Sequence, residues 1–196
     1  MGMVQRWALT AAVVLGISGC GGGGGADFET LFRLDEASAP YTFQYLGVAT
    51  NRGEAVIVAQ AMGERGALLA LDRYEPDGSS VLVGFRSGTA DGRMDEVGYI
   101  KRVRIREDRV EVVIAWTDDG VADDVDAEYS QAHVIVVDRA DIPDAAMGHW
   151  LAVNSDGTVI ADVTSPPTWK VEPLGPPLCL DEPPAGYEDL IPVCQD

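Results

Sequence analysis

The sequence predicts an all-β fold, an antiparallel meander forming a β-sandwich or a partly open barrel, with one short helix near 141–148. Two observations carry that prediction. Between Pro40 and Thr164 the chain is a succession of short β-branched and aromatic runs separated by Gly, Asp, Asn or Pro, the pattern of strands joined by tight connections. Within it, Val97 to Trp116 alternates as a single hairpin with one packed and one wet face.

Taken in order, Phe28 to Leu34 offers Phe28, Phe32 and Leu34 at strand alternation, and Phe28, Leu31 and Phe32 at helical spacing. Periodicity leaves the two open. Strands are expected next at 41–49, 54–62, 66–74 and 80–86, with turn chemistry at Asn51-Arg52-Gly53 and Pro76-Asp77-Gly78, because glycine accepts positive φ and Asn or Asp bonds its own backbone. Segment 54–62 is apolar on both alternating sets, Val56 with Val58 and Ile57 with Ala59, as a central strand covered on both faces would be. The hairpin follows at 97–106 and 109–117. Closing it at Glu107-Asp108 sets Ile105 against Val110, Val103 against Val112 and Tyr99 against Trp116, and places Arg102, Arg104 and Arg106 on the other face with Arg104 opposite Glu111. Strands at 129–138, 150–153 and 158–163 complete the domain; Asp141 to Gly148 reads as the short helix, with Pro143 near its first turn and Gly148 after it, and Ser155-Asp156-Gly157 turns between the last two strands. From Ser165 onward, eight of the eleven prolines occupy the final 32 residues, which forbids a regular central strand and predicts an extended tail lying on the domain.

Ahead of the domain, Arg6 precedes an eleven-residue apolar run, Trp7 to Ile17, that leads into Ser18-Gly19-Cys20. The run has the length of a secretory h-region and falls well short of the roughly 20 residues a membrane-spanning helix needs. Ile17-Ser18-Gly19-Cys20 resembles the lipobox of bacterial lipoproteins, in which an aliphatic and two small residues precede a cysteine that is acylated and becomes the mature N-terminus. This resemblance covers residues 1–20 and implies a protein exported and lipid-anchored at a bacterial membrane through Cys20. Gly21, rather than an aspartate after the cysteine, is similar to lipoproteins sorted to the outer membrane, where the source has one. Several acyl chains, each buried methylene contributing about 0.8 kcal/mol, anchor stably without further apolar surface. Gly21 to Gly25 then form a flexible tether spanning on the order of 12 Å.

The expected organisation is a signal peptide over 1–19, lipidated Cys20 and a glycine-rich tether over 20–27, one β domain over 28–164, and a Pro-rich, disulfide-closed tail over 165–196. Removing residues 1–19 takes Arg6 and no acid, leaving 13 basic against 32 acidic residues and a formal charge of −19. Such a field repels nucleic acid and anionic headgroups and favours cations, basic partners or simple solubility. With Cys20 assigned to lipid, Cys179 and Cys194 remain as a pair, which suits an oxidising compartment. Their bridge would close a short loop holding Pro183, Pro184 and Pro192, stabilising by about 3 kcal/mol on the chain-entropy account.

Two clusters are candidate sites. Asp118, Asp119, Asp123, Asp124, Asp126 and Glu128 concentrate carboxylates as a hard cation such as calcium would require. Their spacing is not that of an EF-hand, and a hydrated acidic loop in an acidic protein is the favoured alternative. Lys101, Arg102, Arg104, Arg106 and Arg109 gather five of the mature chain's thirteen basic residues, a set able to fork onto an anionic glycan, phosphate or acidic protein. Cross-strand pairing with Glu111 is the favoured structural account.

Catalytic templates are mostly absent: no Gly-x-Ser-x-Gly, no His-Glu-x-x-His, no phosphate-cradling loop before a helix and no cysteine free for nucleophilic work. His133 and His149 are expected to be packed or surface residues, and Trp116, Trp150 and Trp169 to be core rather than sugar platforms. The sequence is therefore expected to encode a non-catalytic interaction or structural module of the envelope, with the membrane, an envelope protein or a glycan as partner, no nucleic acid, and no cofactor unless calcium. The alternatives are a carboxylate-dependent hydrolase of envelope polymers and a calcium-stabilised adhesion module.

Overall fold

A computed structural model describes residues 25–37, 43–63, 70, 71, 73, 74, 78–89, 97–116, 129–164, 185–191, 193 and 194. In chain order these form β1 (Gly25–Ala26), β2 (Phe28–Ala37), β3 (Phe43–Ala49), α1 (Arg52–Ala61), β4 (Ser80–Thr89), β5 (Gly98–Ile105), β6 (Val110–Trp116) and β7 (Tyr129–Asp138). A 3-10 turn (Arg139–Asp141), the four-residue α2 (Asp144–Met147), β8 (His149–Val153) and β9 (Val159–Thr164) follow. The strands build a five-stranded sheet, β1-β5-β6-β8-β9, and a four-stranded sheet, β2-β7-β4-β3. Neither closes into a barrel, so the expected all-β fold is a sandwich. Chain neighbours pair antiparallel in β3–β4, β5–β6 and β8–β9. β7 instead crosses into the other sheet and lies between β2 and β4. The crossing brings β6 and β8 together as a parallel pair.

The sandwich core lies between the sheets, where Val81, Val83, Phe85, Ile135 and Val137 face Val103, Val110, Val112, Ile114 and Trp150. A second core covers the opposite face of the four-stranded sheet. There Leu82, Ala132 and Val134 pack under Val58, Ala59 and Met62 of the α1 region, Leu71 and Tyr74, and Tyr187 and Ile191 near the C-terminus. Each large aliphatic side chain so buried contributes about 1.5–3 kcal/mol.

α1 replaces the strand expected at 54–62, and the reasons are local. Asn51 caps the helix, its Oδ1 accepting from Glu54 N at 3.0 Å. Glu54 Oε2 reaches back to Thr50 N at 2.8 Å and Thr50 Oγ1 at 2.9 Å, a variant of the reciprocal capping box. Gly63, at φ 82°, follows the C-cap residue Met62, the left-handed exit glycine favours. Buried Ala55, Val58 and Ala59 repeat at helical spacing, so Asn51-Arg52-Gly53 opens a helix instead of turning between strands. The strand expected at 66–74 is also corrected: Ala70, Leu71 and Arg73 are helical, and Tyr74 N donates to Ala70 O at 3.1 Å.

Phe28 to Leu34 resolves as strand, within β2. The hairpin register is as read from Ile105↔Val110 through Arg102↔Val113, with Arg106 N donating to Arg109 O at 2.9 Å across Glu107-Asp108. A bulge at Lys101 then shifts it, so Tyr99 meets Ala115 and Gly98 meets Trp116, not Tyr99 with Trp116. The face expected to be wet is also partly apolar, since Val113, Leu151 and Val153 form a small buried cluster there.

Packing of α1 on β4 depends on Gly84, where a Cβ would lie 2.8 Å from Val58 Cγ1 and 3.1 Å from Met62 Cε. Gly84→Ala is expected to destabilise by about 1–3 kcal/mol, seen as a lower urea midpoint at unchanged slope. Val58→Ala should relieve the clash, so the double variant will lose less than the sum of the two single changes.

Candidate functional site

The cationic stripe is built around one acid. Glu111, 8% exposed on β6, accepts from Arg106 Nε and Nη2 at 3.2 and 3.1 Å and from Arg109 Nε and Nη2 at 3.2 and 3.0 Å. Arg104 Nη1 lies 3.9 Å away. Burial pushes the Glu111 carboxyl up, but hydrogen bonds and charge from Arg106 and Arg109 outweigh it and hold it below its ordinary range. Three arginines thus serve one carboxylate. Lys101 and Arg102, on the bulge and beside it, are exposed and make no ion pair among the described residues. Gly25, where the glycine-rich segment joins the sheet, is the register partner of Arg104.

Beyond β1, the edge of β5 is held by side chains of the other sheet. Gly98 N donates to Ser87 Oγ at 2.8 Å, and Ile100 N donates to His133 Nδ1 at 2.9 Å. Because Nδ1 accepts, the proton of the neutral ring sits on Nε2 and is directed to Thr30 Oγ1, 3.2 Å away. Burial, with the nearby charge of Arg33, drives the His133 pKa down to about 3. Arg33 itself stacks over the Tyr99 ring at 4.0 Å. His133 is a packed brace, as its apolar surroundings in the sequence suggested.

Two open clefts occur among the described residues. One, of about 530 Å³, runs along the helix side of β2, between Glu29 and Arg73. The other, of about 360 Å³, lies at β1 and holds Asp27 and Asp141, both exposed. Trp150 is core and donates to Met147 O at 2.8 Å; Trp116 packs edge-on against Phe85 and donates to Asn154 Oδ1 at 2.7 Å. Trp150 is thus in the core, and Trp116 is partly buried at its margin. His149 is partly exposed, with Nε2 3.6 Å from Asp162 Oδ1.

Of the residues singled out in the sequence, Arg104 and Arg106 gather at Glu111 while Arg102 stands apart, exposed. Cys194 is partly buried and disulfide-bonded. Cys20, Cys179, Trp169 and the acidic set Asp118, Asp119, Asp123, Asp124, Asp126 and Glu128 lie outside the described residues. Among those described, no group of three or more His, Cys, Asp or Glu is placed to hold a metal ion, and no helix is long and apolar enough to cross a membrane. No protein-family profile, curated protein or solved structure matches the chain.

Two outcomes follow from this geometry. Glu111→Ala strands three guanidinium groups beside a nearly buried position and should cost about 1–3 kcal/mol in urea unfolding, whereas Glu107→Ala at the exposed turn should be near neutral. For His133, the folded pKa lies below the unfolded value near 6.5, so the unfolded chain takes up the proton first. Its stabilisation is full above pH 6.5 and falls by up to about 1.4 kcal/mol per pH unit as pH drops toward 3. Urea titrations between pH 6.5 and 5, a window ahead of most carboxylates, should show this slope in the parent chain and lose it in His133→Gln.

Proposed function

We propose that the protein is a lipid-anchored, non-catalytic interaction module of a bacterial envelope, held at the membrane through Cys20 and presenting the outer face of its five-stranded sheet to an acidic envelope protein or anionic glycan. The observation that carries this reading is the pair of exposed cations, Lys101 and Arg102, without an ion pair among the described residues, close to the strand where the tether joins the body. Glu111 absorbs Arg106 and Arg109 and partly Arg104, so the hairpin's remaining positive charge is concentrated at these two side chains. In a mature chain of formal charge −19, such a spot attracts what the rest of the surface repels. Exposure also favours binding over hydrolysis at the β1 cleft: a general acid wants an apolar setting, and Asp27 and Asp141 are both open to water. Cys179 is assigned as the partner of Cys194, since lipid on Cys20 leaves it as the remaining thiol.

Mass spectrometry of the membrane fraction should find an N-terminal peptide beginning at acylated Cys20, and Cys20→Ala should release the protein from that fraction. An unmodified sulfur on a chain still carrying Met1 defeats the anchoring half. Photo-crosslinking from a residue beside Arg102 in the native envelope should yield a discrete adduct that Arg102→Glu reduces at least about fivefold. An adduct pattern indifferent to that change defeats the binding half.

A further inference from the structure

The cleft on the helix side of β2 forms where a bulge in that strand meets the helical residue Arg73. Thr30 pairs with Ile135 and Phe32 with Val134, leaving Leu31 as the extra residue of a bulge. The Leu31 carbonyl accepts from Arg73 Nη1 at 2.6 Å. Arg73 is held there by its neighbour, because Tyr74 is buried in the helix-side core with its hydroxyl 3.3 Å from both Ala49 O and Ser80 O. One nitrogen of the guanidinium is thereby fixed on the backbone. The remaining donors of the fork are left for an acceptor in the cleft.

Glu29 stands in the same cleft, exposed, and makes neither an ion pair with Arg73 nor a hydrogen bond among the described residues. Leu31 and Val136 give an apolar floor, and Ser79 and Ser80 a polar rim. A simple anion placed here meets Glu29, and a simple cation meets Arg73. A ligand carrying both charges meets a complementary group at each end, and a volume of about 530 Å³ exceeds that of a free amino acid and falls within the usual range of ligand sites.

We propose that this cleft binds a short zwitterionic peptide, its carboxylate forked onto Arg73, its ammonium at Glu29 and a small side chain on Leu31 and Val136. The site is separate from the Lys101–Arg102 spot and does not depend on lipidation, so failure here leaves the anchoring and cation readings untouched.

The test is an NMR titration of the 15N-labelled full-length chain in nonionic detergent with alanyl-alanine, its N-acetyl derivative and its C-terminal amide. The free dipeptide should saturably shift the backbone amides of Glu29, Leu31 and Arg73, and blocking either end should weaken binding about fivefold. Glu29→Gln, an exposed change with no bonded partner to disturb, should weaken the free dipeptide by that same factor and leave the N-acetyl form unchanged. The proposal is overturned by the absence of a saturable shift at these amides, by equal affinity of blocked and free peptides, or by Glu29→Gln weakening both forms alike.

Discussion

The four-stranded sheet has two apolar faces, and neither can be left to water. Along β4, Val81, Val83 and Phe85 enter the sandwich core while Leu82 enters the helix-side core; along β7, Ile135 and Val137 go one way and Ala132 and Val134 the other. A sandwich covers only one of these faces. The second therefore requires another layer, which α1, Ala70, Leu71 and Tyr74, and the Tyr187–Ile191 segment supply. Arg52 reinforces that layer at its margin, with Nη2 2.5 Å from Asp189 Oδ1 and the guanidinium over the Tyr187 ring. Gly84 follows from the same constraint, because the helix can come close to β4 only where there is no side chain.

The five-stranded sheet faces a different problem, an edge. β1 pairs with β5 only at Gly25 and Ala26, so the rest of the β5 edge presents backbone donors whose burial without partners would be costly. Ser87 and His133 provide those partners from across the sandwich. An imidazole serves because one nitrogen can accept from β5 while the other donates to Thr30, provided the ring stays neutral. Burial enforces that neutrality. Electrostatics on the outer face are divided in a corresponding way: Glu111 fixes the arginines near the hairpin tip, whereas Lys101 and Arg102, displaced by the bulge, stay in solvent.

What the sequence revealed depended on whether the deciding partner was local. β7 was legible to its ends, 129–138, because Val134 to Val137 is a β-branched run that Asp138 ends, and an acid-rich stretch of sequence precedes Tyr129. The hairpin register was legible from the turn to Arg102, where alternation and turn geometry determine it. It was not legible past Lys101, where the acceptor for Ile100 N is His133, far along the chain. α1 was misread although its signals were present, Asn51 three residues before Glu54 and Gly63 at the exit, because Val56-Ile57-Val58 is a β-branched run that also suits a strand covered on both faces. The cations of the stripe were readable, and so was Glu111 as the partner of Arg104; its service to Arg106 and Arg109 as well required coordinates. The Glu29–Arg73 cleft carried no sequence signal, since it depends on a bulge in one element and a helical turn in another.

The two proposed binding regions share a physical connection. Glu29 and Leu31 flank Thr30, Thr30 is bonded to His133, and His133 holds Ile100, the neighbour of Lys101 and Arg102. Coupling through such a chain would need an element with two arrangements of similar energy. A neutral imidazole held at both ring nitrogens and 4% exposed has one, and leaving it would strand the buried Ile100 N–H of β5. Direct electrostatic coupling is also weak, because the regions lie on opposite outer faces of two sheets packed about 10 Å apart, beyond a screening length of about 8 Å in physiological salt. The brace thus supplies no two-state element between the regions, and the proposed cleft ligand and the proposed hairpin partner would not compete.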